Sequence, residues 1–241
     1  MKYYLLIAVV FLYSCKPKYD AQVIVDKSIE NTGLYKVRNA KISFNFRNKK
    51  YTANRNNGVF TLTRSFYKDS IFLEDELTNS GFQRKTNGTV ISLSDKEINQ
   101  LSNAVNSVHY FSILPYGLND PAVKKELLGT VVIKGKSYYK IKVTFAKEGG
   151  GDDHDDVFLY WFAEDTFKLE YLAYQYHTNG GGIRFRDVKK EHINNGIRLV
   201  DYNNYKPKNN DVDFLSIDRL YEDEKLVKLS EIILTDIKIV E

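Results

Sequence analysis

Five consecutive residues, Asp152-Asp153-His154-Asp155-Asp156, form the densest group of metal-ligating side chains in the chain. They follow Gly149-Gly150-Gly151 and precede an apolar run that starts at Val157. Alternate side chains of an extended segment share a face, so His154 and Asp156 would point together with Asp153 beside them. Imidazole and carboxylate suit a divalent metal cation, and a metal-bound water would make the site a metal-assisted hydrolase. The same residues also make an ordinary solvated acidic hairpin loop. A lone H-x-D pair needs a distant third ligand, and sequence does not say whether His109, His177 or His192 approaches it. A second group is Gly180-Gly181-Gly182 followed by Arg184 and Arg186. Backbone amides of a glycine run with two guanidinium groups could hold a phosphate or carboxylate headgroup. The alternative is a flexible hairpin with solvated arginines. No G-x-S-x-G elbow, P-loop or H-E-x-x-H is present in the sequence.

Cys15 is the third reactive group and the only cysteine. It ends a short apolar run, Leu5 to Leu12, behind the positive charge of Lys2. That run is shorter than the ~20 apolar residues a membrane-spanning helix needs. Leu12-Tyr13-Ser14-Cys15 resembles a bacterial lipobox, with Tyr13 bulkier than the usual occupant. The resemblance implies removal of residues 1–14 as a signal peptide and lipidation of Cys15. Residues 15–19 would then be the lipidated cysteine and its tether, and residues 20–241 one β-rich domain. A disulfide is excluded with one cysteine, and a lipidated Cys15 is no nucleophile. The formal net charge of +4 is spread along the chain and points to no nucleic-acid partner. The tether lacks an acidic run of the kind that marks surface export, so the expected place is the cell envelope, on the periplasmic face of the outer membrane.

The rest of the sequence must build what positions these groups. Ala21 to Asn31 has helical periodicity, with Asp20 as cap and Gly33 as stop. From Ile42 the period changes to two, with Phe44 and Phe46 on the same phase. Short strands follow, separated by Asn56-Asn57-Gly58, Asn79-Ser80-Gly81 and Asn87-Gly88, which suit tight hairpins. Ser94-Asp95-Lys96-Glu97 is a capping box that opens a helical insert, with Ile98, Leu101, Val105 and Val108 as its apolar stripe. Asp120-Pro121 to Gly129 reads as a second short helix with proline at its first position. Strands resume near Thr130 and continue to Val240, the last stretch open to partial helix. The expected fold is mainly β: a curved antiparallel sheet, an open half-barrel of about ten or eleven strands, with two or three helices across its concave face.

The chain has eighteen tyrosines and fourteen phenylalanines, and Tyr138, Tyr139, Tyr160, Tyr171, Tyr174 and Tyr176 crowd the second half of the sheet. Such rings are common strand formers, and they also line pockets for amphipathic molecules. By phase, Phe44, Phe46, Ile141, Val143 and Phe145 belong on the inner face, with Phe111 to Tyr116 near the mouth. Lysines in these strands, Lys140 and Lys142 among them, fall in the polar phase.

The segments Lys41 to Arg47, His109 to Val123, Gly149 to His154 and Gly181 to Arg186 together resemble a family of Bacteroidetes envelope lipoproteins, some of which carry a deoxyribose-phosphate aldolase label. The resemblance spans Asp20 to Ile239 and is most specific in the His109 to Val123 segment. It implies an envelope lipoprotein and supplies no catalytic residues. The strand-rich layout is also similar to lipoprotein carriers and receptors of the LolA/LolB kind. A Schiff-base aldolase needs a desolvated lysine on a (β/α)-barrel strand, and the strand–helix alternation of such a barrel is missing here.

Three functions therefore stand at this point. The first is a non-catalytic, lipid-anchored protein holding a lipid or other amphipathic ligand in a concave sheet. The second is a metal-assisted hydrolase centred on Asp153, His154 and Asp156. The third is a protein-docking scaffold. No cofactor is expected under the first, a divalent metal under the second, and oligomeric state stays open.

Overall fold

The computed structural model describes residues 19–148, 155–177 and 180–241. Cys15, Asp153 and His154 therefore lie outside the described residues. Helix α1 (Ala21–Asn31) opens where Asp20 accepts the Val23 amide at 2.8 Å. It buries Ile24, Val25 and Ile29, the positions its periodicity marks. After a 3-10 segment at Leu34–Asn39, six strands run as an antiparallel meander: β1 (Lys41–Phe46), β2 (Lys49–Asn56), β3 (Val59–Lys68), β4 (Ile71–Thr78), β5 (Gly81–Thr86) and β6 (Thr89–Ile91). Two-residue turns join several of them. At Asn57-Gly58 and Asn87-Gly88 both residues take positive φ, the backbone that matches strand twist in a tight hairpin.

Helix α2 (Asp95–Ser112) carries the full capping box: Ser94 and Glu97 each satisfy the other's backbone amide. It lies on β3, β4 and β5. Of its stripe, Val105 is fully buried against Ala53 and Leu62, while Ile98, Leu101 and Val108 are half-buried. The helix covers the sheet's inner face without being sealed into it.

The expected helix over 120–129 is a strand. Asp120-Pro121 makes a turn, with the Val123 amide on the Asp120 carbonyl, and β7 (Val123–Ile133) follows. Its burial alternates strictly. Gly129 sits at a register shift in the pairing with the next strand, which is a glycine's role at a bulge rather than at a helix end. The remaining strands are β8 (Lys136–Phe145), β9 (Val157–Ala163), β10 (Leu169–Tyr176), β11 (Gly182–Asn194), β12 (Ile197–Pro207), β13 (Leu226–Ile232) and β14 (Leu234–Val240). The third helix, α3 (Ile217–Glu222), lies between β12 and β13.

The fold is mainly β, antiparallel and open. The described residues form fourteen strands rather than ten or eleven, in two seven-stranded sheets ordered β14-β1-β2-β3-β4-β5-β6 and β13-β12-β11-β10-β9-β8-β7. The apolar stretch from Leu226 is two strands, one in each sheet. Asp201, buried on β12, accepts the Leu234 amide at 2.8 Å where the chain crosses over.

The second sheet is buried on both faces. Its inner face (Tyr139, Ile141, Val143, Phe158, Tyr160, Phe162, Leu172) packs against α1 and β1 in the main core. Its outer face (Tyr138, Leu159, Trp161, Ala173, Ile183, Phe185) packs under α3. β9 consequently reads as the near-continuous apolar run Val157 to Ala163. Lys140 is on that outer face and is buried rather than solvated. Its ammonium donates to Asp218 Oδ1 at 2.7 Å and to the Leu215 carbonyl at 2.5 Å. A (β/α)-barrel, and with it the barrel-strand lysine of a Schiff-base aldolase, is not this architecture.

Candidate functional site

Inward-pointing residues of both sheets meet α2 around a cavity of about 380 Å³. Strict alternation on β11 sends Ile183 and Phe185 into the outer core and Arg184 and Arg186 to the inner side. β10 brings Tyr174 and Tyr176 alongside them, since Tyr174 pairs with Arg184 in register. Phe158 and Asp156 come from β9 and its approach, Val200 and Tyr202 from β12. Phe46, Ile232 and Leu234 close one wall. Ser107, Val108, Phe111 and Ser112 at the end of α2 form the cover.

Aromatic contacts set this geometry. Phe111 stands 5.4 Å from Tyr174 and 6.3 Å from Phe158 between ring centroids, and Phe158 stacks on Tyr174 at 5.6 Å. Arg186 lies over the Phe111 ring at 4.4 Å and donates to the Tyr174 hydroxyl at 2.9 Å. Arg184 donates to the Tyr176 hydroxyl at 2.8 Å and to its neighbour's carbonyl, Ile183 O, at 2.9 Å. Asp156 is buried and accepts the His177 amide at 3.2 Å, with His177 Nδ1 3.5 Å away. Gly182 leaves room for Tyr176: a Cβ there would stand 2.8 Å from the tyrosine hydroxyl, so the ring would have to shift.

The expected site residues divide. Phe46, Phe111, Arg184 and Arg186 line the cavity. Phe44, Ile141 and Val143 are fully packed in the core beneath it and do not line it. Phe145 packs edge-on to Phe158 behind the wall. Tyr116 faces away, into a separate groove of about 290 Å³ shared with Arg38, Arg55 and Asp120. The phase of β8 placed Ile141 and Val143 on the correct face, but α1 fills that part of the concavity. Tyr174 and Tyr176, two of the aromatic residues that crowd the second half of the sheet, also line the cavity, together with Val200, Tyr202 and Ile232, which no local pattern marks as ligand contacts. Period-two patterning carried their phase, while their convergence depends on long-range pairing.

The three described histidines do not gather. His109 is buried between Phe44 and Tyr51, with Nε2 3.0 Å from the Thr63 carbonyl. Burial pushes its pKa down to about 4, against the opposing pull of that hydrogen bond. His192 Nε2 lies 2.9 Å from Asp201 Oδ2, on another part of the second sheet. Of the three, His177 is the one that approaches the acidic segment, through Asp156. Among the described residues, no group of three or more His, Cys, Asp and Glu side chains is placed to hold a metal ion.

Two open antiparallel sheets with a helix over an apolar, partly basic cavity define a LolA-like fold. A LolA superfamily protein from Nitrosomonas europaea aligns over 92% of this chain and 94% of its own at a TM-score of 0.51 and 11% identity. Also similar are a DUF1329 family protein from Desulfovibrio piger (TM-score 0.43, 12% identity, 90% and 92% covered) and a Vibrio parahaemolyticus domain described as outer membrane lipoprotein-sorting (0.43, 8%, 89% and 93%). The chain itself belongs to a family of unknown function, DUF6503, whose model matches residues 1–233. No curated protein matches the sequence.

Proposed function

We propose that this protein is a non-catalytic, lipid-anchored cell-envelope protein that binds an amphipathic ligand between α2 and the second sheet. The observation that carries the reading is the cavity: a mainly aromatic and aliphatic wall, closed by the Phe111 end of a half-buried helix. Its volume falls in the ~300–1,000 Å³ range of small-molecule sites. The likeness in fold to a LolA superfamily protein supports the same reading.

The lipobox-like Leu12 to Cys15 supports an anchor at Cys15 after loss of residues 1–14. Tyr19 packs edge-on against Phe167 and Tyr139, at 5.4 and 6.2 Å. Three residues lie between it and Cys15, so the four residue steps span at most about 14 Å. An acylated Cys15 would hold the Tyr139–Phe167 end of the fold close to the bilayer, on the periplasmic face of the outer membrane in this proposal. Among the described residues no helix is long and apolar enough to cross a membrane.

The test is native mass spectrometry of protein purified from its own envelope, followed by delipidation and uptake of a fluorescent fatty acid. The reading expects a co-purifying amphiphile and saturable uptake. Delipidated, folded protein that takes up no amphiphile at micromolar concentration overturns it.

A further inference from the structure

Arg184 and Arg186 enter a mainly apolar cavity, and among the described residues no carboxylate forms an ion pair with either. Arg55 and these two apart, the fold's better-buried arginines are paired: Arg64 and Arg84 share Asp75, and Arg198 meets Glu191 at 2.8 Å. The two guanidinium groups are held in place instead by neutral groups. Tyr174, Tyr176 and the Ile183 carbonyl take three of their N–H groups, and the Phe111 and Tyr176 rings lie beside the planar faces. A guanidinium has five N–H donors, so most of this donor set is unused. Arg186 Nε in particular is fully buried with no hydrogen-bond partner. Leaving such a group unpaired is costly.

The charge balance sets the partner. Among the described residues, the charged ones lining the cavity are Arg184, Arg186 and Asp156, which sum to two positive and one negative, or +1. Asp156 is already engaged by the His177 amide. This lining suits one negative charge with several acceptor oxygens, next to an apolar wall. We infer that the ligand is a monoanionic amphiphile whose carboxylate or phosphodiester-type headgroup is held by Arg184 and Arg186, its chain running along Phe46, Val108 and Phe158. This rests on the amphiphile-binding reading above and adds the chemistry of the headgroup. Planar, forked donors suit such groups better than an ammonium would.

The experiment compares laurate, its methyl ester, the phosphodiester dodecyl methyl phosphate and acetate as ligands of the delipidated protein, by calorimetry at neutral pH. Laurate and dodecyl methyl phosphate should bind about tenfold or more tightly than the ester, as charge-assisted hydrogen bonds imply. Acetate should bind far more weakly than laurate. Arg186→Gln and Arg184→Gln should each shrink the gap between laurate and its ester by about tenfold, bringing laurate down towards the ester. Asp156→Asn should move laurate affinity the opposite way, upward, which separates a charge effect from damage to the fold. Equal binding of laurate and its ester, or laurate affinity unmoved by both arginine variants, overturns the headgroup inference while amphiphile binding stands. Acetate binding as tightly as laurate overturns it in favour of a small-anion site. Failure of every alkyl ligand to bind overturns both readings.

Discussion

Lys140 and Asp218 meet at 2.7 Å in a layer where neither reaches solvent, and this pair ties α3 to the outer face of the second sheet. The lysine stem crosses Trp161, with the ammonium 5.2 Å from its ring centroid. Removing one partner strands a buried charge, which costs about 3–5 kcal/mol. Asp218→Ala should therefore destabilise the fold by about that amount in urea titration. The double variant Lys140→Met with Asp218→Leu should recover most of the loss. A double variant as unstable as Asp218→Ala would show that packing of α3, not charge burial, sets the cost.

Lys140 also shows where the sequence was legible and where it was not. Alternation placed it correctly on the face opposite Ile141 and Val143. That this face is covered depends on α3, seventy-odd residues later, and no local pattern announces it. The Asn-Gly turns, the Asp20 cap and the Ser94–Glu97 box were readable because each is settled by neighbours in sequence. β7 was misread because Pro121 imitates a helix start and Gly129 a helix stop. In addition Lys125, on an inward phase, breaks the apolar alternation while reaching the Leu118 carbonyl at 2.5 Å. The Arg184–Arg186 pair was visible, but its pocket was not. That pocket needs strands from both sheets and the end of α2.

Blocking the cavity should separate binding from stability. Val108 is half-buried on α2 and lines the cavity, whereas Val143 is wholly inside the core. Val108→Trp should abolish fluorescent fatty-acid uptake with a change in stability of about 1 kcal/mol or less, since the new ring has space to enter. Val143→Trp should instead overpack the core and cost about 1–3 kcal/mol. Full uptake by a folded Val108→Trp protein would place the ligand elsewhere.

Fractionation tests the anchor. Cys15→Ala removes the acylated thiol, so the protein should move from the membrane fraction to a soluble or unprocessed form. The tyrosine contacts of Tyr19 should keep the domain folded in either case. A mature acylated species in the Cys15→Ala strain would refute the lipobox reading.

His109 should set an acid limit on stability. Its pKa stands near 6.5 in the unfolded chain and at about 4 in the fold, lowered by burial. Above pH 6.5 neither state is protonated and this group adds no slope. Between pH 6.5 and 4 the unfolded chain takes up the proton and the folded protein does not, so stability falls as pH falls. The loss approaches about 3 kcal/mol at pH 4 and below. His109→Gln keeps a donor for the Thr63 carbonyl but does not titrate. Its stability should therefore fall less steeply than the wild type's across this range, measured by urea titration at each pH. Parallel curves for the two proteins would contradict the buried, neutral histidine.

Gly33 closes α1 in the left-handed region at φ 67°, directly behind the Thr32 cap. Here the strain of that conformation is the smaller effect. The Thr32 carbonyl accepts the Arg198 amide, drawing the helix end onto the turn between β11 and β12. A Cβ on Gly33 would stand 1.9 Å from the Gly196 carbonyl oxygen and 2.9 Å from its carbon, both backbone atoms that cannot rotate away. At Gly58, in an open hairpin at φ 91°, an added Cβ meets nothing within 4 Å. Gly58→Ala should therefore show only the left-handed penalty, about 1–2 kcal/mol. Gly33→Ala must also part α1 from the sheet, and should cost more than about 4 kcal/mol, in the range reserved for disrupted cores. Thermal or urea unfolding of the two variants side by side decides it. Equal losses would mean that the contact between α1 and the β11–β12 turn is loose enough to yield.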